Sequence, residues 1–407
     1  MEVKIMREFR RFQRSLLTEE YEEVGLPSPV KGNLQLHHAV EKRKRTGDLV
    51  NLSIMTDQTP PPAVRIAAAE AALKGGYIKN DFSVRKKICD YYEKGPGVSI
   101  DPETEIFLLT GSQLGIDNAF KLLIDSGDEV LMGEPEYATY EPMIHFYGGN
   151  ARFFPLLLKD NSWTFDINKF GGEISSKTKL VVISNPNNPV GYVYRKKDLE
   201  EIVRLVKKYN CWLISDEIWS MYVLKENLQF TSMGIFRDIR DRLIILFSAS
   251  KTFGMSGYRT GCMMGPPDFI EAVDQVVRFA VQAAPTIGQI AFARALDFEE
   301  TGSWLEERKE GLRRRIKETV TRMNRFRKLR CAEPESGVFL FPDIGDYGMT
   351  SLAFASRLLE EKGVYVIPGY FYGRHCDRYV RISMSVSEED YQRGMDRFLE
   401  FVGGLEK

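Results

Sequence analysis

The sequence predicts an α/β fold, a mostly parallel sheet flanked by helices, with a smaller α+β domain after it. Three observations carry that expectation. Across residues 104–265, short runs of Ile, Leu and Val alternate with polar or glycine-rich turns, several of them followed by helix patterns. Those runs are nearly continuously apolar, as strands covered on both faces require. After Phe279 the pattern changes to long charged helices and then to separated strand-like pieces.

The strands of the large sheet are expected at residues 105–109, 129–132, 180–184, 211–215 and 243–247. The best helix is 198–209, where Leu199, Ile202, Val203, Val206 and Tyr209 mark one apolar face. Strands of the smaller domain are expected at 337–341, 364–367 and 379–383. A chain of 407 residues exceeds what one core organises, so the expected division is an amino-terminal arm over 1–47, a large domain over 48–300 and a small domain over 301–407.

Composition describes an ordinary globular protein, with 43% apolar residues, Lys+Arg 56 against Asp+Glu 57 and a net charge of −1. That balance speaks against a nucleic acid partner. The basic runs 42–45 and 313–315 read as solvated surface, the second interrupting the helical series Leu312, Ile316, Val320 and Met323. Cys89, Cys211, Cys262, Cys331 and Cys376 form no close pair, which fits a reducing compartment. His37, His38, His145 and His375 have no partners at metal-ligand spacing, so no metal site is expected. Residues 1–17 are rich in arginine but carry Glu2 and Glu8 and run into acidic residues 19–23, as a helical arm would. With no secretory core and no apolar run of the ~18–20 residues that span a bilayer, a cytoplasmic protein without a membrane partner is expected.

Ligands of open α/β sheets bind at the carboxyl ends of strands, and five such ends are chemically suggestive. The first leads into Thr110, Gly111, Ser112 and Gln113, a glycine turn opening a helix; it suits a phosphate, although such turns also merely connect. The second leads to Tyr137 and Tyr140, and Tyr137 could stack on a flat heterocycle or simply pack under its loop. The third is followed by Asn185, Pro186, Asn187, Asn188, Pro189, Val190 and Gly191, a rigid turn whose amides can bond a ligand oxygen. The fourth runs into Asp216 and Glu217, where an aspartate could pair with a protonated pyridine nitrogen or cap a helix. The fifth runs into Ser248, Ala249, Ser250 and Lys251, with Arg259 eight residues on; the amine can reach an aldehyde while Ser248 and Arg259 hold an anion.

In this order the segments resemble the class I/II aminotransferases of PLP fold type I, the aspartate aminotransferase superfamily, over roughly residues 48–381. The resemblance implies a cofactor, pyridoxal 5'-phosphate, held as a Schiff base on Lys251, which then moves the α-proton. It implies that Asp216 pairs with the pyridinium nitrogen, Asn188 bonds the phenolic oxygen and Tyr137 covers the ring. Gly111, Ser112, Gln113, Ser248 and Arg259 would surround the phosphate, and Arg381 would grip the substrate carboxylate as a guanidinium fork. The substrates would be an L-amino acid and a 2-oxo acid. Tyr77, in a stretch shorter than usual before Arg85, would reach a partner subunit's phosphate, making the active unit a homodimer. Two further departures are Trp219, where the family usually has a tyrosine, and the 53–59 loop, which replaces a glycine-rich substrate loop. They leave open a lyase, a cyclising enzyme or an oxidase of the same fold; a non-enzymatic PLP or amino-acid sensor is the more distant alternative.

Overall fold

The computed structural model describes residues 29–57 and 59–406, so residues 1–28 of the arm expected over 1–47 lie outside them. The chain enters through the helix Pro29–Thr46 and the strand β1 (Val50–Asn51). It continues through β2 (Ile106–Leu109), β3 (Glu129–Glu134), β4 (Asn150–Lys159), β5 (Ser162–Phe165), β6 (Thr178–Ser184), β7 (Trp212–Asp216), β8 (Leu243–Phe247) and β9 (Gly261–Met264). Four short strands follow, β10 (Phe339–Leu340), β11 (Val364–Tyr365), β12 (Ile367–Pro368) and β13 (Val380–Ser383). No described helix is long and apolar enough to cross a membrane.

The strands β2 to β9 form one sheet in the order β2-β9-β8-β7-β6-β3-β4-β5. Neighbours from β8 through β4 are parallel, while β9 runs antiparallel between β2 and β8. The carboxyl ends of β2, β8, β7, β6 and β3 therefore open on one edge. Every residue of β2, β8 and β9 is buried, and each fully buried Val, Leu or Ile contributes about 1.5–3 kcal/mol over leaving it exposed. Beside the sheet, Lys196–Tyr209 buries Leu199, Ile202, Val203, Leu205 and Val206 and ends where Asn210 turns left-handed at φ 55. Its start two residues ahead of the expected one follows from Asp198, whose carboxylate accepts from the Arg195 backbone N–H at 3.0 Å.

Two elements differ from expectation. The strands β4 and β5 form a hairpin on the sheet's edge, turned by Asp160 and Asn161 at φ 48 and 56, the left-handed pair such two-residue turns require. Pro155 stands where β4 changes partner from β3 to β5. The strand expected at 364–367 is two strands in different sheets: Val364–Tyr365 pairs in parallel with β1, and Ile367–Pro368 pairs antiparallel with β13. Pro368, which lacks an N–H, sits on the outer strand of its three-stranded sheet, β10-β13-β12.

Val50 and Asn51, inside the segment expected to open the large domain, thus join carboxy-terminal strands. The helix Pro29–Thr46 packs on Ser351–Lys362, and the helix Phe298–Met323 runs unbroken through residue 300. Leu312, Ile316, Val320 and Met323 are buried as their spacing implies. Arg313 and Arg315 are not simply solvated. Arg313 donates to the Leu224 carbonyl at 2.8 Å, and Arg315 to the Met384 and Val386 carbonyls at 2.7 and 2.9 Å.

Candidate active site

The sheet edge and β13 enclose a cavity of about 330 Å³ lined by Gly111, Ser112, Gln113, Tyr137, Asn188, Asp216, Lys251, Arg259 and Arg381. Backbone geometry places the first of these. Gly111 adopts φ 81, and a side chain there would bring its Cβ to 2.5 Å from the Arg259 guanidinium. The helix Ser112–Leu123 begins at Gly111 without a side-chain cap, so its first N–H groups point at the cavity. Gly261, which opens β9, is pressed between the Ser112 nitrogen and the Phe247 carbonyl, and a Cβ there would lie 2.9 and 3.0 Å from them. Arg259 itself sits at φ 52 and bonds the Ser256 carbonyl at 2.8 Å.

Asp216 closes β7 with its carboxylate buried and does not cap a helix. It accepts from the Tyr140 hydroxyl at 2.6 Å and from the Ile218 backbone N–H at 3.2 Å. Burial pushes its carboxyl up to about 6, against the pull of those bonds and of Lys251. Burial, reinforced by Arg381 and Arg259, brings the Lys251 amine down to about 8, while Asp216 acts the other way. The amine and the acid thus sense each other across one cavity. Glu217, the adjacent carboxylate, turns into the core, where Tyr92, Ser215, Ser232 and the Met233 nitrogen hold it.

The three asparagines of the third turn divide in the same way. Asn185 bonds the Thr231 carbonyl and the Tyr194 nitrogen, and Asn187 bonds the Pro135 carbonyl and the Val190 nitrogen. Only Asn188 lines the cavity, accepting from Arg381 at 3.3 Å. Arg381 also donates to the Ser53 carbonyl at 2.6 Å and lies 3.9 Å over the Phe339 ring. Its Nε is buried with no hydrogen-bond partner. Tyr137 meets the Gln113 side chain at 3.4 Å and stands edge-on to Tyr140.

Two expected contacts are placed differently. The Ser248 hydroxyl faces the protein, accepting from the Ser250 nitrogen at 3.0 Å and donating to the Thr260 carbonyl at 2.8 Å; Ser250 lines the cavity in its stead. Tyr77 is 67% exposed and is not part of this lining. Sequence reasoning also missed Tyr140 as the support of Asp216, although its spacing of three from Tyr137 was the available signal. Trp219 lines the cavity with its buried Nε1 unpartnered.

The donor set fits pyridoxal phosphate. Among the described residues no carboxylate pairs with Arg259 or Arg381, so the cavity is short of anions, which a phosphate and a carboxylate would supply. The buried Asp216 lacks a cation beyond Lys251, which a protonated ring nitrogen would supply, and the Trp219 N–H lacks an acceptor.

Comparison with known proteins agrees. Residues 47–398 match the family model described as aminotransferase class I and II. The chain is similar to an aspartate aminotransferase of Pyrococcus horikoshii, 28% identical with 91% of this chain and 95% of that one covered. It is similar to an aspartate/prephenate aminotransferase of Thermus thermophilus, 30% identical over 90% of this chain and 94% of the other. The crystal structure of an aromatic aminotransferase from Pyrococcus horikoshii superposes with a TM-score of 0.83 at 28% identity, covering 90% of this chain and 99% of that one. The chain therefore belongs to the class I and II aminotransferases and is a pyridoxal-phosphate-dependent enzyme that transfers amino groups.

Proposed function

We propose that Lys251, Asp216, Asn188 and Arg381 carry out transfer of an amino group between an L-amino acid and a 2-oxo acid, with Gly111, Ser112, Gln113, Ser250 and Arg259 around the cofactor phosphate. The observation that carries this reading is a buried amine, its pKa lowered to about 8, facing a buried carboxylate across a cavity that also holds two unpaired guanidinium groups. When bound, pyridoxal phosphate supplies a ring that withdraws the electron pair left when the substrate Cα loses its proton. Asp216 keeps a proton at the ring nitrogen, and Tyr140 holds the aspartate in place. The Lys251 Nζ takes the Cα proton and returns it to the neighbouring carbon, a task suited to an amine whose proton affinity lies near neutrality. Arg381 fixes the α-carboxylate with its free N–H groups, and Asn188 and the Trp219 Nε1 donate to the ring oxygen. Tyr137 covers the ring.

The active unit is a homodimer in this reading. Leu73, Tyr77, Phe279 and Ile287 are large and exposed, and the segment after Tyr77 adjoins the helices that carry Phe279 and Ile287, since the Ile78 nitrogen bonds the Thr286 hydroxyl at 3.0 Å and Lys79 pairs with Asp274 at 3.0 Å. A second copy covering this face would bury these side chains, and the family resemblance gives Tyr77 the partner's phosphate to reach. In this reading the chain has a large domain and a small one, with Val50 and Asn51 pairing with Val364 and Tyr365 of the small one. Five buried thiols, none in a disulfide, support a cytoplasmic setting.

Borohydride reduction of the loaded protein followed by peptide mapping tests the central assignment. The cofactor is expected on Lys251 alone, and Lys251→Ala is expected to lose both the trapped label and roughly 10³-fold or more in rate. A label on another lysine overturns it.

A further inference from the structure

The side of the cavity around Arg381 is apolar. The arginine lies over Phe339, and Trp219 meets that ring edge-on at 5.6 Å. The Ser53 carbonyl that holds Arg381 is followed directly by Ile54 and Met55, which line the same cavity. This loop is fixed from behind. The Thr56 and Asp57 nitrogens bond the Ser385 carbonyl at 3.0 and 3.3 Å, and Arg308 pairs with the Asp57 carboxylate at 3.0 Å. Ile54, half exposed, forms the lip, and Met55 lies buried beneath it.

Among the described residues the cations lining the cavity are Lys251, Arg259 and Arg381, and the reaction, the phosphate and the α-carboxylate engage all three. Among these described residues of one protomer none remains to meet a second carboxylate on the substrate. A charged side chain entering beside Arg381 would lose water against hydrocarbon without a partner, whereas an apolar one would gain from leaving water.

We propose that the site takes a neutral amino acid with a large apolar or aromatic side chain, received by Ile54, Met55, Trp219 and Phe339. This rests on Arg381 as the grip for the α-carboxylate. Pockets of this kind discriminate by roughly tenfold or more for each fitted methylene and reject unpaired charge more strongly.

Calorimetric titration of the cofactor-loaded protein with 3-phenylpropanoate, succinate and acetate tests it, because none of the three has an amino group to react. The expected result is that 3-phenylpropanoate binds about tenfold or more tighter than succinate, and tighter than acetate. Succinate binding as well as the phenyl compound overturns the apolar assignment while leaving Arg381 in its role; acetate matching the phenyl compound overturns it equally. Failure of all three to bind removes Arg381 as the carboxylate grip and takes both readings down together. Ile54→Arg, which adds a cation at the exposed lip, is expected to raise succinate affinity about tenfold and leave acetate unchanged. Unaltered succinate affinity in that variant counts against Ile54 as part of the wall.

Discussion

The sheet-side wall of the cavity takes Gly111, Lys251, Asp216 and Asn188 from the ends of strands in one continuous sheet, whereas the opposite wall joins Ser53 to Arg381, 328 residues further along the chain. On the first wall the groups are set mainly by strand ends and local turns, as Gly111 is by its positive φ and Asp216 by the Ile218 nitrogen, with Tyr140 as a distant support. On the second, position depends on contacts between distant segments. The contrast teaches where damage should stay local: removing a side chain from the sheet edge deletes one chemical role, while altering Arg381 also loosens the loop that it holds.

The sharpest way to break this contrast is Arg381→Lys. Charge is kept, but the fork is lost together with its bonds to the Ser53 carbonyl and Asn188. Steady-state kinetics are expected to show kcat/KM falling roughly 100-fold, mostly through KM. A fall of less than about threefold would show that the second wall does not depend on the arginine's geometry. Tyr140→Phe should act more gently and only through Asp216. Without the 2.6 Å bond, burial would push the Asp216 carboxyl further up, so the charged form would need a higher pH. The acid limb of kcat/KM is expected to move upward in pH, with about a tenfold loss on that limb. An unshifted profile would exclude the tyrosine from that role.

The smallest signal is in stability. In the cofactor-free protein burial raises the Asp216 carboxyl from the ordinary value of 3.8 to about 6, so the folded state holds more protons between those values. Its contribution is fully present below about pH 4 and is lost as pH rises through about 6, a change of at most about 3 kcal/mol. Glu217 and Glu136 act with the same sign, their carboxyls raised by burial to about 7 and about 8. Thermal melts of the cofactor-free protein should therefore fall across this range, and Asp216→Asn should flatten the lower part of the curve by a few degrees. Parallel curves for the two proteins would contradict the buried-carboxylate account.

The same contrast explains what the sequence made legible. Strands covered on both faces are written as apolar runs, so β2, β3, β6, β7 and β8 could be read within two residues at either end, and with them the groups at their carboxyl ends. The edge hairpin of β4 and β5 was not legible, because its half-exposed residues interrupt the run and Pro155 argues against a strand. Nor was the brief β9, whose Gly261 reads as part of the turn before it. Local sequence also could not tell Asp216 from Glu217, or Ser248 from Ser250, since which side chain faces the ligand depends on strand register and on a single helix cap. The support that Tyr140 gives Asp216 crosses 76 residues, and the loop around Ile54 is fixed by Arg308 and Ser385, far along the chain. Such pairings leave no mark on neighbouring residues.

Pinning residues 53–57 at both ends has an evolutionary corollary. The backbone there is held by these contacts while Ile54 and Met55 line the cavity, so on the proposed reading exchanging those two side chains is expected to retune what the enzyme accepts and spare the hold on the α-carboxylate. Substrate range and chemical competence would then be separable traits, free to drift at different speeds.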